Sequence, residues 1–175
     1  MKLTHSPLLL GTVMLAGWIA ASDAASLTVA QMAELRANAK TLLGAIPDRM
    51  PGSEQDTPAR IELGRRLYFE TELSMNRRQS CNSCHMVDNQ RGGVDNEPTS
   101  EGAFGKRGGR NSPTVLNAGF QFAQFWDGRA ATLEEQAKGP VLNPIEMAMP
   151  SEGEVLSRLK ASKTYPPLFK QAFPK

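Results

Sequence analysis

The sequence has few of the residues that bind metal ions, with two cysteines and two histidines among its 175 residues. A structural zinc site needs four Cys or His ligands, and an iron–sulfur cluster held by thiolates needs four cysteines. Cys81, Cys84 and His85 are the only such residues that stand together, since His5 lies near the amino terminus. The count of ligands therefore argues against both kinds of site.

Strong net charge and strand-like patterning are also lacking. The formal net charge is +2, and no basic run is interleaved with aromatic residues, so the composition gives no case for a nucleic-acid partner. Apolar residues do not alternate with a period of two over the length of a strand. We therefore predict an all-α protein of short helices joined by long loops.

A long hydrophobic run is missing as well. The apolar stretch at residues 8–21 falls short of the roughly 20 residues that a spanning helix needs. It follows a positive charge at Lys2 and precedes small residues, which is the pattern of a secretory signal. We predict a signal peptide over residues 1–24 and a periplasmic mature chain, with an uncleaved membrane anchor as the alternative. Cleavage would remove His5 and leave His85 as the only histidine.

The two cysteines that are present form the pattern C-x-x-C-H with His85. This pattern is typical of c-type haem attachment, in which each thiol adds to a haem vinyl group and the histidine binds the iron. The spacing brings both sulfurs to one face of a turn, and we expect a helix beginning after it to direct His85. A Cys81–Cys84 disulfide is the alternative, although it leaves the histidine without a purpose. A thioredoxin-like pair would need a βαβ context that the sequence lacks.

Capping and proline signals predict where the helices lie. Thr28 opens a helix over residues 29–43 through a capping box, and Thr57 followed by Pro58 opens a second one. Pro113 is expected to open a short helix through Phe120. Further predictions are helices at 132–138, 151–160 and 166–173, a glycine-rich loop at 87–111, and a loop containing Pro140 and Pro144. The implied apolar core is thin, and a bound haem would supply much of the missing buried surface.

Six short motifs follow one another along the sequence. They are LGRRLYF at 63–69, SCNSCH at 80–85, RNSPTVLNA at 110–118, FWDGRA at 125–130, LEEQA at 133–137 and NPIEM at 143–147. In this order they resemble the bacterial di-haem cytochrome c peroxidase and MauG family, specifically its amino-terminal, peroxide-reacting domain. The resemblance implies a cytochrome c-like haem domain over residues 57–175, preceded by a helix and linker over residues 25–56.

The resemblance also implies an activity and residue roles. Hydrogen peroxide would be reduced to water at a haem with an open distal side, using electrons from a small redox protein such as a cytochrome c or cupredoxin. His85 would be the proximal iron ligand. Glu146 would be the distal acid/base, with Gln136 as its hydrogen-bonding neighbour. Trp126 resembles the tryptophan between the two haems, and Asn111 resembles a ligand of the calcium at the domain interface.

Taken one at a time, these residues have plainer interpretations. Glu146 alone would be a surface carboxylate, and Gln136 would belong to the surface of a helix. Trp126 would be a core aromatic residue and Asn111 a turn residue. The joint pattern favours the functional interpretation.

The sequence departs from the family pattern in two places. Ala103 stands where members with a closed peroxidatic haem place a distal histidine, so we expect an iron that is five-coordinate or water-bound at rest. The family also carries a second C-x-x-C-H in a carboxy-terminal domain, whereas this sequence has one. We therefore expect one haem c, with the relay haem missing or on another polypeptide. Trp126 and Asn111 would then face solvent, a second haem domain or another copy of the chain.

A second function remains open, that of a single-haem electron-transfer cytochrome without catalysis. It needs a methionine as the sixth iron ligand, because a Met/His pair is the usual way to raise a haem potential. The candidates are Met75, Met86, Met147 and Met149. Methionine at such positions is more often core filling.

Overall fold

The computed structural model describes residues 26–44, 47–88 and 91–174. Its contacts divide the chain into two units between residues 46 and 47. The predicted signal peptide, residues 1–24, lies outside the described residues. Across the described ranges, no helix has the length and apolar character needed to cross a membrane.

The described part of the first unit is a single helix, α1, at Val29–Leu43. Its start is set by the predicted capping box: the Thr28 hydroxyl accepts from the backbone N–H of Gln31 at 3.2 Å, and the Gln31 side chain accepts from the Thr28 N–H at 2.9 Å. The helix ends at Gly44, whose positive φ of 74° suits a residue without a Cβ. Both predicted bounds of this helix are confirmed.

The described part of the second unit contains five α-helices. They are α2 at Pro58–Tyr68, α3 at Cys81–Cys84, α4 at Leu133–Leu142, α5 at Glu152–Ala161 and α6 at Tyr165–Ala172, with 3₁₀ turns at Ser53–Gln55, Thr71–Leu73 and Ala118–Phe120. Hydroxyls of Thr57, Thr132 and Ser151 cap α2, α4 and α5 by accepting a backbone N–H three residues on. The described residues form no strand, only two isolated bridges. The all-α class with long loops is confirmed.

The core of this unit is small and lies where α2, α5 and α6 meet. Its buried members are Leu63, Leu73, Met147, Leu159, Tyr165 and Ala172. Met147 belongs to the loop after α4, and its carbonyl accepts from the Met75 N–H at 2.8 Å. The loop that carries Glu146 is therefore anchored directly to the core.

Three details of the predicted elements are wrong. The haem-motif helix begins at Cys81 and ends at Cys84, so His85 is its C-cap instead of its first turn. No helix opens at Pro113, because Asn117 adopts a left-handed conformation and leaves only the Ala118–Phe120 turn. Pro140 lies inside α4; since it sits in the last turn, the helix loses only the bond that its missing N–H would have made to Gln136.

Candidate haem site

The two thiols of the haem motif lie at the first and last residues of α3, about one helical turn apart. They are free and half-buried, not joined in a disulfide. Burial raises the pKa of both thiols. For Cys84, a hydrogen bond with Ser100 opposes this rise, and the negative charges of Asp95 and Glu146 add to it. Both side chains are thus neutral thiols near pH 7.

The imidazole of His85 is held by a partner distant in sequence. Its Nδ1 lies 2.9 Å from the carbonyl oxygen of Pro113, and only a protonated nitrogen can share a hydrogen with a carbonyl. In the neutral imidazole, Nε2 is then the unprotonated nitrogen, the form that binds a metal, and the carbonyl fixes the direction of the ring. The Tyr68 hydroxyl donates to the His85 carbonyl on the backbone side.

These features match what a covalently attached c-type haem requires. Two free thiols one turn apart can form the two thioethers, and an oriented imidazole offers one free nitrogen to the iron. The predicted attachment by Cys81 and Cys84 with His85 as the iron ligand is compatible with this geometry. No sequence signal predicts the Pro113 contact, because the two residues are 28 positions apart.

Glu146 lies in the loop after α4 and is half-buried. Its Oε1 accepts from the side-chain amide of Asn143 at 2.7 Å, and its backbone carbonyl accepts from the Ala103 N–H at 2.7 Å. Its charge contributes to the raised pKa of Cys84, so the carboxylate shares the electrostatic environment of a haem-attachment cysteine. Glu146 is therefore joined to the Ala103 loop by a backbone hydrogen bond, and its charge acts on Cys84.

The loop at Ala103 packs very closely on the Glu146 loop. A Cβ on Gly102 would lie 1.6 Å from the carbonyl oxygen of Ile145 and 2.9 Å from that of Glu146. Ala103 itself is buried, and its carbonyl accepts from the Asn76 amide at 2.5 Å. Ala103, the residue predicted to stand in place of a distal histidine, thus lies against the backbone of the candidate acid/base.

Gln136 lies on α4 and is half-buried. In the described residues, its side chain makes no hydrogen bond to Glu146, and the amide that contacts this carboxylate is that of Asn143. Sequence reasoning missed Asn143, although an asparagine that follows a helix and precedes a proline is a turn signal. The role of Gln136 stays a prediction.

Trp126 and Asn111 lie together on the surface. The Trp126 indole N–H donates to the Asn111 carbonyl at 2.7 Å, and the Asn111 amide donates to the Glu97 carbonyl at 2.7 Å. Trp126 is 62 % exposed, so it is not the core aromatic residue of the plainer interpretation. Over the ranges that the structure describes, no group of three or more His, Cys, Asp or Glu side chains is placed to hold a metal ion. Calcium binding by Asn111 stays a prediction.

An all-α unit that presents C-x-x-C-H with an oriented imidazole has the features of a c-type cytochrome. The family model described as di-haem cytochrome c peroxidase matches residues 58–175. The chain belongs to this di-haem cytochrome c peroxidase family, which confirms the resemblance seen in the motifs. The family implies c-type haem as the cofactor.

Individual relatives agree with this assignment. The cytochrome c551 peroxidase of Pseudomonas aeruginosa is 44% identical over 153 residues, which cover 84% of this chain and 42% of the relative. The methylamine utilization protein MauG of Paracoccus denitrificans is 36% identical over 143 residues, covering 70% of this chain and 37% of the relative. The chain therefore spans about two fifths of the length of these relatives.

Two solved structures have folds similar to that of this chain. A MauG-like protein associated with microbial copper homeostasis superposes with a TM-score of 0.65 at 32% identity, over 74% of this chain and 38% of that one. The diheme peroxidase BthA from Burkholderia thailandensis superposes with a TM-score of 0.60 at 27% identity, over 68% of this chain and 33% of that one.

Proposed function

We propose that this chain is the peroxide-reacting haem unit of a cytochrome c peroxidase. The reaction consumes one hydrogen peroxide, two protons and two electrons and yields two water molecules. The electrons come one at a time from a small redox protein, a cytochrome c or a cupredoxin. The observation that carries this proposal is the half-buried Glu146 carboxylate, held beside the Ala103 loop and within the electrostatic reach of Cys84.

The haem motif performs attachment and orientation. Cys81 and Cys84 would form the two thioethers to one haem c, and Nε2 of His85 would bind its iron while Nδ1 stays bonded to Pro113. When bound, the haem supplies an iron that takes up peroxide and accepts electrons from the donor. The Pro113 carbonyl increases the electron density of the imidazole, which makes His85 a stronger ligand.

Glu146 performs the proton chemistry. Asn143 occupies its Oε1, and Oε2 is left to take a proton from the incoming peroxide and return it to the leaving oxygen. Gln136 is the second polar side chain of this pocket. Ala103 has no side chain that could bind a metal, so this position would leave a haem iron accessible to water or peroxide.

The exposed pair Trp126 and Asn111 marks the side from which electrons arrive. Trp126 is a large aromatic residue at the surface. This side meets either a second haem domain or another copy of the chain. The signal peptide and the need for haem attachment outside the cytoplasm support a periplasmic location.

The alternative carrier function has less support from the structure. Met147 and Met149 are buried, and Met147 belongs to the apolar core. The Met75 sulfur accepts from the Arg158 guanidinium at 3.5 Å. These three thioethers already have packing or bonding roles, which is the usual use of methionine in a core.

Glu146→Gln tests the proposed function. The mature chain is produced with haem attachment, and the haem per chain, the ferric spectrum and the second-order rate constant with hydrogen peroxide are measured on one sample. We expect one haem, high-spin bands, and a rate constant that falls by roughly 100-fold or more in the variant, because general acid/base groups contribute about that much.

Glu134→Gln serves as the control, because it makes the same chemical change at an exposed residue of α4. It should leave the rate constant unchanged. An unaltered rate in Glu146→Gln would refute the acid/base role. A methionine–iron band in a purely low-spin ferric spectrum would instead favour the carrier.

A further inference from the structure

Asn143 makes a hydrogen bond with every polar group that it has. Its backbone N–H donates to the carbonyl of Gly139 at 3.0 Å and closes α4. Its carbonyl accepts from the N–H groups of Glu146 at 3.0 Å and Ala148 at 2.9 Å. Its side chain accepts from the Ile145 N–H at 3.0 Å and donates to Glu146 Oε1 at 2.7 Å. One residue thus determines both the turn and the position of the carboxylate.

The chemistry of the partners fixes the orientation of the Asn143 amide. The Ile145 N–H can only donate, so the atom facing it must be the amide oxygen. The amide nitrogen then faces Glu146, whose ionised carboxylate can only accept. The amide cannot be flipped without placing two donors against each other and two acceptors against each other.

The turn and the carboxylate contact make different demands on the side chain. The turn uses only the oxygen, so an aspartate at position 143 would satisfy it equally well. The donor nitrogen contributes nothing to the turn and contacts only Glu146 in the described residues. An asparagine is therefore required at this position for the sake of the carboxylate.

We propose that Asn143 is the positioning residue of Glu146: its amide holds Oε1 and thereby aims Oε2 at the bound peroxide. This inference rests on the proposed function, because it assigns Asn143 a part in the proton transfer by Glu146. The hydrogen bond holds the carboxylate in one orientation before peroxide arrives, so its ordering does not add to the barrier of the reaction.

The test is a set of variants of the haem-loaded mature chain. Asn143→Asp keeps the turn acceptor and replaces the donor by an acceptor that faces Glu146 with like charge. Asn143→Asp combined with Glu146→Gln restores an amide–carboxylate pair with the two groups exchanged. Glu146→Gln completes the cycle, and Asn117→Asp makes the same change at an exposed residue. Midpoints of thermal unfolding at pH 7 and rate constants with hydrogen peroxide are measured for each variant.

We expect Asn143→Asp to lower the unfolding midpoint by several degrees and the rate constant by about 10-fold or more, with unchanged haem content. The exchanged pair should recover most of the midpoint but none of the rate, because its carboxylate is at the wrong position. Asn117→Asp should match the parent in both. If Asn143→Asp does not fold, recovery of folded, haem-loaded protein in the variant with the exchanged pair would also support the contact.

The cycle separates failure of this inference from failure of the proposed function. If Asn143→Asp keeps the parental rate, or if the midpoint losses of the two single changes simply add, Asn143 does not position Glu146. If the exchanged pair recovers the midpoint but Glu146→Gln alone reacts at the parental rate, the contact exists and the acid/base role is wrong.

Discussion

At the scale of single residues, the site depends on close backbone contacts that leave no room for a larger side chain. Gly102 is the extreme case, because its neighbour is a backbone carbonyl that cannot rotate away. Ala103 then donates to the Glu146 carbonyl and holds the two loops together. The candidate acid/base is thus positioned from its backbone side by a glycine-dependent contact and from its side chain by Asn143.

Gly102→Ala should therefore displace the Glu146 loop. The added Cβ would lie 1.6 Å from the Ile145 oxygen, so the loops must separate. We expect a loss of about 3 kcal/mol or more in the free energy of unfolding, at the upper end of overpacking effects, together with slower reaction with peroxide. Denaturant unfolding of the haem-loaded chain measures the first effect and stopped-flow absorbance the second.

Gly109→Ala is the matched control, since a Cβ there has open space within 4 Å and this glycine has no positive φ. Its stability should stay within about 0.5 kcal/mol of the parent, as for most surface substitutions. Equal effects of the two substitutions would show that the contact between Gly102 and Ile145 does not constrain the loop.

At the scale of elements, the sequence predicted what local hydrogen bonds determine. The starts of α1, α2 and α5 were predicted correctly because Thr28, Thr57 and Ser151 cap them through residues three positions away. The carboxyl end of α4 was not, because Pro140 by itself indicates a loop, whereas it lies in a last turn that the Asn143 N–H closes by donating to the Gly139 carbonyl.

The residues of the candidate site likewise divide into those that the sequence predicted and those that it did not. The C-x-x-C-H motif and the family motifs identified Cys81, Cys84, His85 and Glu146, all of which have a sequence signature. The Pro113 contact to His85 joins residues 28 positions apart in the sequence, and no local signal encodes it. The contact between Asn143 and Glu146 is local and was missed only because the turn signal was not connected to the carboxylate.

Arg158 links α5 to the segment before the haem motif. Its side chain is 9% exposed and bonded to Glu154 at 3.1 Å, and it donates to the carbonyls of Glu72 at 3.1 Å and Ser74 at 2.8 Å. Ser74 is fully buried and its carbonyl also accepts from the Arg77 N–H at 3.1 Å, so the guanidinium is the second of its two donors. We expect Arg158→Met, which keeps an unbranched apolar side chain and removes the guanidinium, to cost about 2–3 kcal/mol of unfolding free energy.

Lys160→Met on the same helix serves as the comparison, because Lys160 is exposed. Urea unfolding of both variants, followed by circular dichroism, measures the difference. A loss no larger for Arg158→Met than for Lys160→Met would mean that water replaces the guanidinium at these carbonyls.

At the scale of the whole molecule, the described chain buries little apolar surface and exposes several large apolar side chains. Phe104 is 62% exposed, Leu116 is 54% exposed and Phe122 is 99% exposed. The buried core consists of six residues around α2, α5 and α6, with none on α3. A core of this size provides limited stability. A cofactor that binds the folded state but not the unfolded state increases that stability.

The haem should therefore contribute much of the folding free energy of this unit. A Cys81→Ser/Cys84→Ser chain, which cannot attach haem covalently, is expected to unfold at least about 10 °C below the haem-loaded parent and with a broader transition, because about 3 kcal/mol or more of burial and ligation is lost. Circular dichroism at 222 nm through a temperature ramp measures both midpoints. The α3 turn should be preserved by serine, which is a poor but tolerated helix former, so the comparison reports mainly the loss of haem. A sharp transition within a few degrees of the parent would show that the protein core suffices without the cofactor.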